Sequence, residues 1–273
     1  MGLRVNTNVL SLTAQKNLAS VGSRLSGNFS RLSSGLRIAT AGDDAAGLGI
    51  SERMRSQIRS LSQAGRNAQD GVSLVQTAEG ALGEVNTNLT RMRELAVQAA
   101  NGTLNTGDRA ALDNEFGELV SEIDRIADQT DFNGIQLLDG TESSVTLQVG
   151  TESGETISIT LGDMTDTGLS LTGGTFDLTS VTNASNALAT IDTAIDSVSS
   201  FRGTLGASQN RLQSATRSIA TAGENLSAAE SRIRDVDVAA ETADLTRNSI
   251  MQQAAVSVLA QANVQPQLAL SLL

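Results

Sequence analysis

Apolar residues at alternating spacings of three and four recur along one stretch of the chain for 39 residues. The series consists of Leu61, Ala64, Ala68, Gly71, Val75, Ala78, Leu82, Val85, Leu89, Met92, Ala96 and Ala99, in which only Gly71 is not apolar. A seam of this length is typical of a coiled coil rather than of one face of a globular helix. At 1.5 Å per residue it spans roughly 58 Å. The seam predicts a long helix that ends at Asn101-Gly102.

A second long seam lies nearer the end of the sequence, and a shorter one lies between the two. The second seam consists of Leu212, Ala215, Ile219, Ala222, Leu226, Ala229, Ile233, Val236, Ala240 and Ala243. The shorter one consists of Leu112, Phe116, Leu119, Ile123 and Ile126, and it predicts a helix from near Asp108 to just before Asp131. We expect the two long seams to pack against each other. The sequence therefore predicts a mainly α-helical fold with at least three packed helices, arranged as a long coiled-coil rod.

The segment from 141 to 180 has a different pattern. Apolar residues alternate on both sides of a turn-rich stretch, at Val145, Leu147 and Val149 and then at Ile157, Ile159 and Leu161. This period of two predicts a β-hairpin. Further on, Thr172-Gly173-Gly174-Thr175 and many Ser and Thr residues predict turns and loops that face solvent.

Two residue types on which much enzyme chemistry depends are missing. The chain has no cysteine and no histidine, which removes thiolate nucleophiles, thiolate metal ligands and the usual general base near neutral pH. Aromatic residues make up only 2% of the chain, so burial must rely on Leu, Ile, Val and Ala, which suit close helix packing. We expect no enzymatic activity, no cofactor and no bound metal.

The net charge of −11 is concentrated in the middle of the chain. It amounts to +4 for residues 1 to 100, −15 for residues 101 to 200 and 0 for residues 201 to 273. Ends near neutrality can pack against many copies of themselves without strong repulsion, whereas the acidic middle argues against nucleic acid as a partner. No run approaches the roughly 18 consecutive apolar residues of a membrane span, so we expect no membrane insertion.

Both ends of the chain carry amphipathic stripes. The N-terminal stripe consists of Val5, Val9, Leu12, Leu18, Val21, Leu25, Phe29, Leu32 and Leu36. The C-terminal stripe consists of Ile250, Ala254, Val258 and Ala262, and Leu259, Leu272 and Leu273 are further candidates for the same role. A pair of terminal helices that extends beyond the three-helix part cannot cover all its apolar surface within one chain. We therefore predict that these residues contact neighbouring copies.

The adjacent carboxylates Asp43 and Asp44 could perform acid-base chemistry or bind a divalent cation. They precede the long helix, where a carboxylate can accept hydrogen bonds from free amides and oppose the helix dipole. Hard cations need more ligands than this segment offers. Capping is therefore the preferred interpretation.

Two further sequence patterns resemble binding sites. Gly42 and Gly47 have the spacing that opens a phosphate-binding loop, but Leu48 and Gly49 stand where that loop requires Lys and then Ser or Thr. Nucleotide binding is therefore not expected. A run of arginines could instead bind an anion, although such a run is more often a solvated helix face or an ion-pair surface between subunits. Its members are Arg53, Arg55, Arg59 and Arg66.

Three segments near each end of the chain form specific motifs. The N-terminal segments are Val5-Asn6-Thr7-Asn8, Arg31-Leu32-Ser33-Ser34-Gly35-Leu36-Arg37-Ile38 and Gly42-Asp43-Asp44-Ala45-Ala46-Gly47-Leu48. The C-terminal segments are Asn225-Leu226-Ser227-Ala228-Ala229-Glu230-Ser231-Arg232-Ile233, Ser257-Val258-Leu259-Ala260-Gln261-Ala262-Asn263 and Leu270-Ser271-Leu272-Leu273. Together they resemble bacterial flagellin over about residues 1 to 140 and 184 to 273. With only about 40 residues between these parts, the chain resembles a minimal form without large variable outer domains.

The resemblance implies an architecture and a function. It implies an inner core domain for polymerisation, residues 1 to 43 with 234 to 273, and an outer helical domain, residues 44 to 233, with the hairpin region at about 141 to 180. It implies that copies polymerise into the flagellar filament used for swimming, after export as unfolded chains through the flagellar type III apparatus. The implied partners are other copies, an export chaperone, and the hook-filament junction and filament cap proteins. The implied location is the secreted, extracellular flagellum.

The same resemblance points to a host partner. The segment from Leu89 to Gln98 resembles the one by which many flagellins engage the Toll-like receptor that senses them, which implies contacts from Arg91 and Leu95, with Glu115 on the next helix. On a helix, Arg91 and Leu95 lie four residues apart and away from the predicted seam, so we expect both to be exposed. We also expect this face to pack against the next subunit of a filament.

Alternatives from other classes were compared. A hook-filament junction protein resembles the N-terminal part and also has long terminal helices, but the ending from Leu270 to Leu273 resembles flagellin. A coiled-coil adhesin or secreted effector would satisfy the seams alone, though not the motifs at both ends. An enzyme lacks a convergent set of catalytic groups.

Overall fold

The structure, a computed structural model, describes residues 7 to 173 and 176 to 271, with the side chains of the last helix described up to Val264. In chain order the elements are α1 (Val9–Ser34), α2 (Ala45–Ala99), α3 (Thr106–Gln129), β1 (Asp131–Phe132), β2 (Ile135–Gln136), β3 (Ser144–Gln148), β4 (Thr156–Thr160), α4 (Val181–Arg234) and α5 (Val238–Ser271). This confirms the predicted mainly α-helical fold with a small hairpin region. The predictions for Val5, Gly174, Thr175, Leu272 and Leu273 lie outside the described residues.

The chain divides into two compact units. Unit 1 comprises Met1–Ile58 and Glu224–Leu273, and unit 2 comprises Arg59–Gly223. Helices α2 and α4 each contribute residues to both units. The sequence placed the divisions at residues 43 and 233 instead, and the separate roles given to the two domains stay predictions.

The long seam of α2 is the centre of unit 2. Every seam position from Ala64 to Ala99 is buried, and Leu61 is half-buried. Leu82, Leu89 and Met92 are fully enclosed. The prediction of a long helix with one continuous buried stripe is confirmed.

The partner of this seam differs from the predicted one. The first half of α4 buries Ala184, Ala187, Ile191, Ala194, Val198, Leu205 and Leu212. Ion pairs across the two helices, Arg93 Nε to Asp192 Oδ1 at 2.7 Å and Arg202 Nη2 to Glu79 Oε1 at 3.6 Å, show that they run antiparallel. The predicted pairing of the two long seams is therefore confirmed only where they overlap, since Leu212 and Ile219 lie against the start of the α2 seam at Gly71 and Gly65. The rest of the α2 seam packs against the first half of α4, which was not predicted.

The predicted second seam is also not one helix. Helix α4 ends at Arg234 and α5 begins at Val238, so the seam is interrupted by the connection between them. Its positions after Leu212 are half-buried up to Val236, and Ala240 and Ala243 are exposed. A run of small residues spaced like a seam therefore did not reveal where the helix ends.

The hairpin of β3 and β4 is confirmed. The strands are antiparallel, with Val145 opposite Ile159 and Leu147 opposite Ile157, and the side chains of Ile157 and Ile159 are buried. A Cβ atom at Gly71 would collide with the Leu147 side chain and lie 3.2 Å from Cδ1 of Leu212. Glycine interrupts the seam because the hairpin approaches α2 at this point.

A second, shorter hairpin was missed. Strands β1 and β2 pair Asp131 with Gln136 and Phe132 with Ile135. The two residues between them, Asn133 and Gly134, have φ values of 53° and 81°, the left-handed pair that a type I′ turn requires. The sequence pattern predicts only the end of a helix here, although Asn-Gly is the typical signal for such a turn.

The segment after β4 is less exposed than predicted. Leu161, Met164, Leu169, Leu171 and Leu178 are buried in the core of unit 2. The Leu178 amide donates a 2.7 Å hydrogen bond to Asp113 Oδ1 on α3. The prediction of solvent-facing loops here is therefore corrected. The many Ser and Thr residues suggested exposure, but the leucines between them are buried against the helices.

We expect Leu89→Ala to lower the free energy of unfolding of unit 2 by about 2 to 5 kcal/mol, because it leaves a cavity at a fully buried position. Chemical denaturation followed by circular dichroism measures the change. Val97→Ala is the matched control, since Val97 is 52% exposed on the same helix and should change the free energy by about 0.5 kcal/mol or less. An unchanged denaturation midpoint for Leu89→Ala would contradict the assignment of the seam as the core.

Candidate functional site: the paired terminal helices

Helices α1 and α5 pack antiparallel in unit 1. The Asn8 side chain caps α1 by accepting from the Ser11 amide, and it also donates to the Ala262 carbonyl oxygen at 2.7 Å. Near the other end of α1, Asn28 Nδ2 donates to Glu241 Oε1 at 2.8 Å. These contacts join the start of each helix to the far part of its partner.

The inner seam between the two helices combines leucine and valine with small and polar residues. On α1 its positions are Ser11, Ala14, Leu18, Val21, Leu25 and Asn28, and on α5 they are Glu241, Leu245, Asn248, Gln252, Ala255, Leu259 and Ala262, all buried or half-buried. The polar members of this seam were not predicted, because the predicted stripes consist of apolar residues. The three-four spacing that runs through Asn28 and Asn248 could have revealed them.

Many of the larger apolar side chains lie on the outer faces. The exposed ones are Val9, Leu10, Leu12 and Phe29 on α1, and Val238, Ile250, Met251, Val256, Val258 and Val264 on α5. Among the predicted assembly residues, Val9, Leu12, Phe29, Ile250, Ala254 and Val258 are exposed, Leu18, Leu25, Leu32, Leu36 and Leu259 are half-buried, and Val21 is buried. Each predicted stripe is therefore split between an inner seam and an outer face.

The outer face of α5 carries very little charge. After Arg247 the sequence contains no charged side chain. In the part of the chain that the structure describes, no helix combines the length and the hydropathy of a membrane span. The half of α5 after Arg247 is therefore uncharged and carries apolar side chains on both its packed and its exposed sides.

The ends of α1 and α4 are held together beside the start of α5. Gly35 ends α1 with a φ of 72°, a left-handed conformation that favours glycine. The next residues form backbone hydrogen bonds from Arg37 N to the Arg234 oxygen at 2.7 Å and from Val236 N to the Gly35 oxygen at 3.0 Å. The motif from Arg31 to Ile38 is therefore a backbone junction that places α5 alongside α1.

The adjacent carboxylates Asp43 and Asp44 cap backbone amides, as predicted. Asp44 Oδ1 accepts from the Gly47 amide at 2.9 Å, in the first turn of α2. Asp43 Oδ2 accepts from the Thr40 amide and hydroxyl, and these hydrogen bonds lower the pKa of Asp43. Among the described residues, no group of three or more His, Cys, Asp or Glu side chains is arranged to hold a metal ion.

An ion-pair network continues the junction onto α2. Arg234 Nη1 donates to Glu52 Oε1 at 2.7 Å, and Arg55 Nη1 donates to the same oxygen at 2.9 Å. The other arginines in the predicted run, Arg53, Arg59 and Arg66, are exposed. This distribution agrees with a solvated face that carries ion pairs.

In unit 2, the structure brings two of the three predicted receptor residues together. Arg91 donates from Nε and Nη2 to Glu115 Oε1 at 2.9 and 2.7 Å, and both side chains are nearly half exposed. Hydrogen bonds that Arg91 donates to Glu115, and then to Glu94, raise the pKa of Arg91. Arg91 therefore lies on the surface, tied to α3.

The predicted exposure of Leu95 is wrong. Its side chain is fully buried in the core of unit 2. Helix α2 is packed by α3 and the strands as well as by α4, so Val72, Leu74 and Leu95 are buried in addition to the seam. The buried face of α2 is wider than a single three-four series, and Leu95 lies within it.

Comparison with known proteins identifies the family. A sequence model described as the bacterial flagellin N-terminal helical region matches residues 5–143, and one described as the C-terminal helical region matches residues 188–273. The flagellin of Halalkalibacterium halodurans is 51% identical, over 98% of this chain and 99% of that protein. The flagellar filament 30.7 kDa core protein of Treponema maltophilum is 42% identical, over 98% of this chain and 99% of that protein. The crystal structure of Bacillus cereus flagellin is 40% identical with a TM-score of 0.50, covering 56% of this chain and 88% of that one.

The long buried seams, the exposed terminal helices and these matches define a helical structural protein of the bacterial flagellum. The chain belongs to the bacterial flagellin family. The motifs at both ends therefore predicted the family correctly, and the short segment between the two matched regions agrees with the predicted minimal form.

We expect the ion pair between Glu52 and Arg234 to make the stability of unit 1 sensitive to acid. Hydrogen bonding from Arg234, and then from Arg55, lowers the pKa of Glu52 below its usual 4.5. A carboxylate with a lowered folded-state pKa stabilises the fold above its unfolded pKa, and that contribution is lost as the pH falls through the folded value. Glu52→Gln should therefore weaken hydrogen-exchange protection of the Arg37 and Val236 amides at pH 7 and make it less dependent on pH below about 4.5.

The matched control is Glu224→Gln, since Glu224 belongs to unit 1 and pairs with no cation among the described residues. It should retain the pH dependence of the parent. Equal acid sensitivity in the parent and in Glu52→Gln would exclude the pair as its source.

Proposed function

We propose that this chain polymerises into the flagellar filament through the outer apolar faces of α1 and α5. The observation that carries the proposal is that Val9, Leu12, Phe29, Ile250 and Val258 are each more than half exposed although α1 and α5 are already paired. Exposed apolar surface of this extent favours contact with other protein. Copies of the same chain fit, because every copy carries the same apolar residues and α5 has no charged residue after Arg247.

The charge pattern supports the same proposal. The last 26 residues carry no charge, and the acidic residues are concentrated between positions 101 and 200, which belong to unit 2. Packing the terminal helices of many copies together therefore brings few like charges into contact. The acidic middle keeps the assembled surface solvated.

We further propose that the chain is a structural protein without enzymatic activity, secreted through the flagellar type III apparatus as an unfolded chain. A single proline and the lack of cysteine are compatible with passage through a narrow channel. An export chaperone, the hook-filament junction proteins and the filament cap are the partners that family membership suggests. These proposals rest on the family and on composition.

Removal of residues 244 to 273 should leave unit 2 folded but abolish polymerisation. The point variant Val258→Asp should act in the same direction, because it places a charge in the outer apolar face. Seeded assembly, measured by sedimentation and by negative-stain microscopy, tests both. Gln253→Asp is the matched control, since it adds the same charge at an exposed polar position of α5 and should still assemble. Filaments from the truncated chain, at the yield of the parent, would refute the proposal.

As a second function, we propose that free chains bind the host Toll-like receptor that senses flagellin, through Arg91 and Glu115. The observation that favours this is an exposed Arg-Glu pair that joins α2 to α3, with its side chains nearly half accessible. Arginine at a partly exposed position is a frequent interface anchor. Leu95 supports this surface from within the core and does not present its side chain.

Arg91→Ala combined with Glu115→Ala should reduce receptor activation by free chains about tenfold or more, because it removes a central polar anchor. A reporter-cell assay measures activation, and circular dichroism checks that the helices remain folded. Arg125→Ala is the control, since Arg125 is an equally exposed arginine of unit 2 that pairs with Glu122. Leu95→Ala should instead lower the unfolding midpoint. Parent-level activation by the double variant would disprove this role.

A further inference from the structure

The apolar side chains of α5 lie on several sides of the helix, so apolar area alone does not set which side packs against α1. Its inner seam contains Glu241, Asn248 and Gln252 beside only two leucines, Leu245 and Leu259. Its outer face exposes Ile250, Met251, Val256, Val258 and Val264. The packed side and the exposed sides offer comparable apolar area, so burial of apolar area does not by itself fix the rotation of α5. Something other than apolar area must therefore select the inner face.

The backbone junction does not make this selection by itself. The hydrogen bonds of Arg37 and Val236 fix where α5 begins along α1. Helix α5 follows a short connection after Arg234 and can still rotate about its own axis. Such a rotation changes which face of α5 contacts α1 without changing where α5 begins. The rotational setting must come from contacts along the helices.

A polar cluster on the inner seam supplies such contacts. Asn28 is 6% exposed and Glu241 is 9% exposed. Asn28 Nδ2 donates to Glu241 Oε1 at 2.8 Å, and Asn28 Oδ1 accepts from Asn248 Nδ2 at 2.9 Å. The Asn28 side chain thus bonds two residues of α5 that lie about two helical turns apart. Arg31 Nη1, 3.6 Å from the same Glu241 oxygen, balances the carboxylate charge.

Rotation of α5 would break both hydrogen bonds. Asn28 would then face apolar side chains with its amide unpaired, and a buried polar group without a partner is strongly disfavoured. A single polar residue in a helix seam can in this way specify one packing arrangement among several of similar apolar content. At the other end of the α1–α5 pair, Ser11 Oγ donates a 2.8 Å hydrogen bond to Asn263 Oδ1, which the same rotational position of α5 allows.

We propose that Asn28, Glu241 and Asn248 select the face of α5 that packs against α1, and so fix which of its apolar side chains stay available for other copies. These three are positioning residues, which act through the orientation of α5. The selection itself is independent of polymerisation, and only its consequence for assembly rests on the proposed function.

Pairs of cysteines report the face, since the natural chain contains none. Ser11→Cys with Asn263→Cys reports the observed face, because the two native side chains are in hydrogen-bond contact. Ser11→Cys with Gln261→Cys reports the opposite face, because Gln261 lies two residues away on the helix and is exposed. Disulfide yields are measured in the full-length chain, both free and after seeded assembly.

In the parent sequence, the first pair should give the dominant disulfide. Asn28→Leu should raise the yield of the opposite-face pair relative to the observed-face pair by about tenfold or more, because polar seam residues of α5 lose their partner. Adding Glu241→Leu and Asn248→Leu to Asn28→Leu should restore the parent ratio, since the inner faces then match again as apolar surfaces. A purely stabilising role would lower both yields together and would give no such restoration.

Each remaining outcome decides a separate point. An unchanged ratio in Asn28→Leu overturns the proposal, and so does a triple variant that fails to recover the observed face. A parent that never forms the Ser11–Asn263 disulfide, free or assembled, overturns the arrangement on which the proposal depends. A shifted ratio with normal filament growth would uphold the selection and refute the role of the outer face in polymerisation.

Discussion

The burial of one continuous seam on α2 is the interaction on which unit 2 depends. Small side chains such as Ala68, Ala78 and Ala96 alternate with Leu82, Leu89 and Met92, and all are enclosed. Alanine and glycine positions let a neighbour approach the helix axis, and the leucines then fill the remaining space. This explains how a chain with 2% aromatic residues forms a closed core: the packing is distributed along a helix rather than gathered around large rings.

Unit 1 packs differently from unit 2, with less apolar burial and more hydrogen bonds in its seam. Its helices pack through a seam in which hydrogen bonds from Asn8, Ser11 and Asn28 accompany a few half-buried leucines. Apolar burial within the chain is therefore modest there, and much of the apolar side-chain area remains accessible. The pairing is specific and leaves apolar side chains exposed on both helices. These are the side chains that we propose other copies contact, so pairing within the chain and contact between chains would use different residues of the same helices.

Periodicity predicted the helices and the main hairpin well, because each pattern is local and strong. The α2 seam, the α3 stripe and the alternation around Val145 and Ile159 are examples. Sequence spacing did not reveal what lies opposite each stripe. The exposure predicted for Leu95 was wrong because burial depends on how many elements surround a helix, and the partner of α2 was missed because the alanine-rich start of α4 gives a weak apolar signal. The polar cluster at Asn28 was missed because a buried asparagine is defined by its distant partners, Glu241 and Asn248, which lie more than 200 residues away.

The ion pairs of the described residues share one feature, which is that arginine is the cation in each of them. Arginine keeps its proton up to about pH 12, and ordinary carboxylates lose theirs near pH 4. The chain has no histidine, cysteine or tyrosine, and Lys16 is its one lysine. Between about pH 6 and pH 9 almost no side chain therefore gains or loses a proton. A surface built from this sequence keeps the same charge in mildly acidic and in alkaline surroundings, so its electrostatics respond to salt rather than to pH.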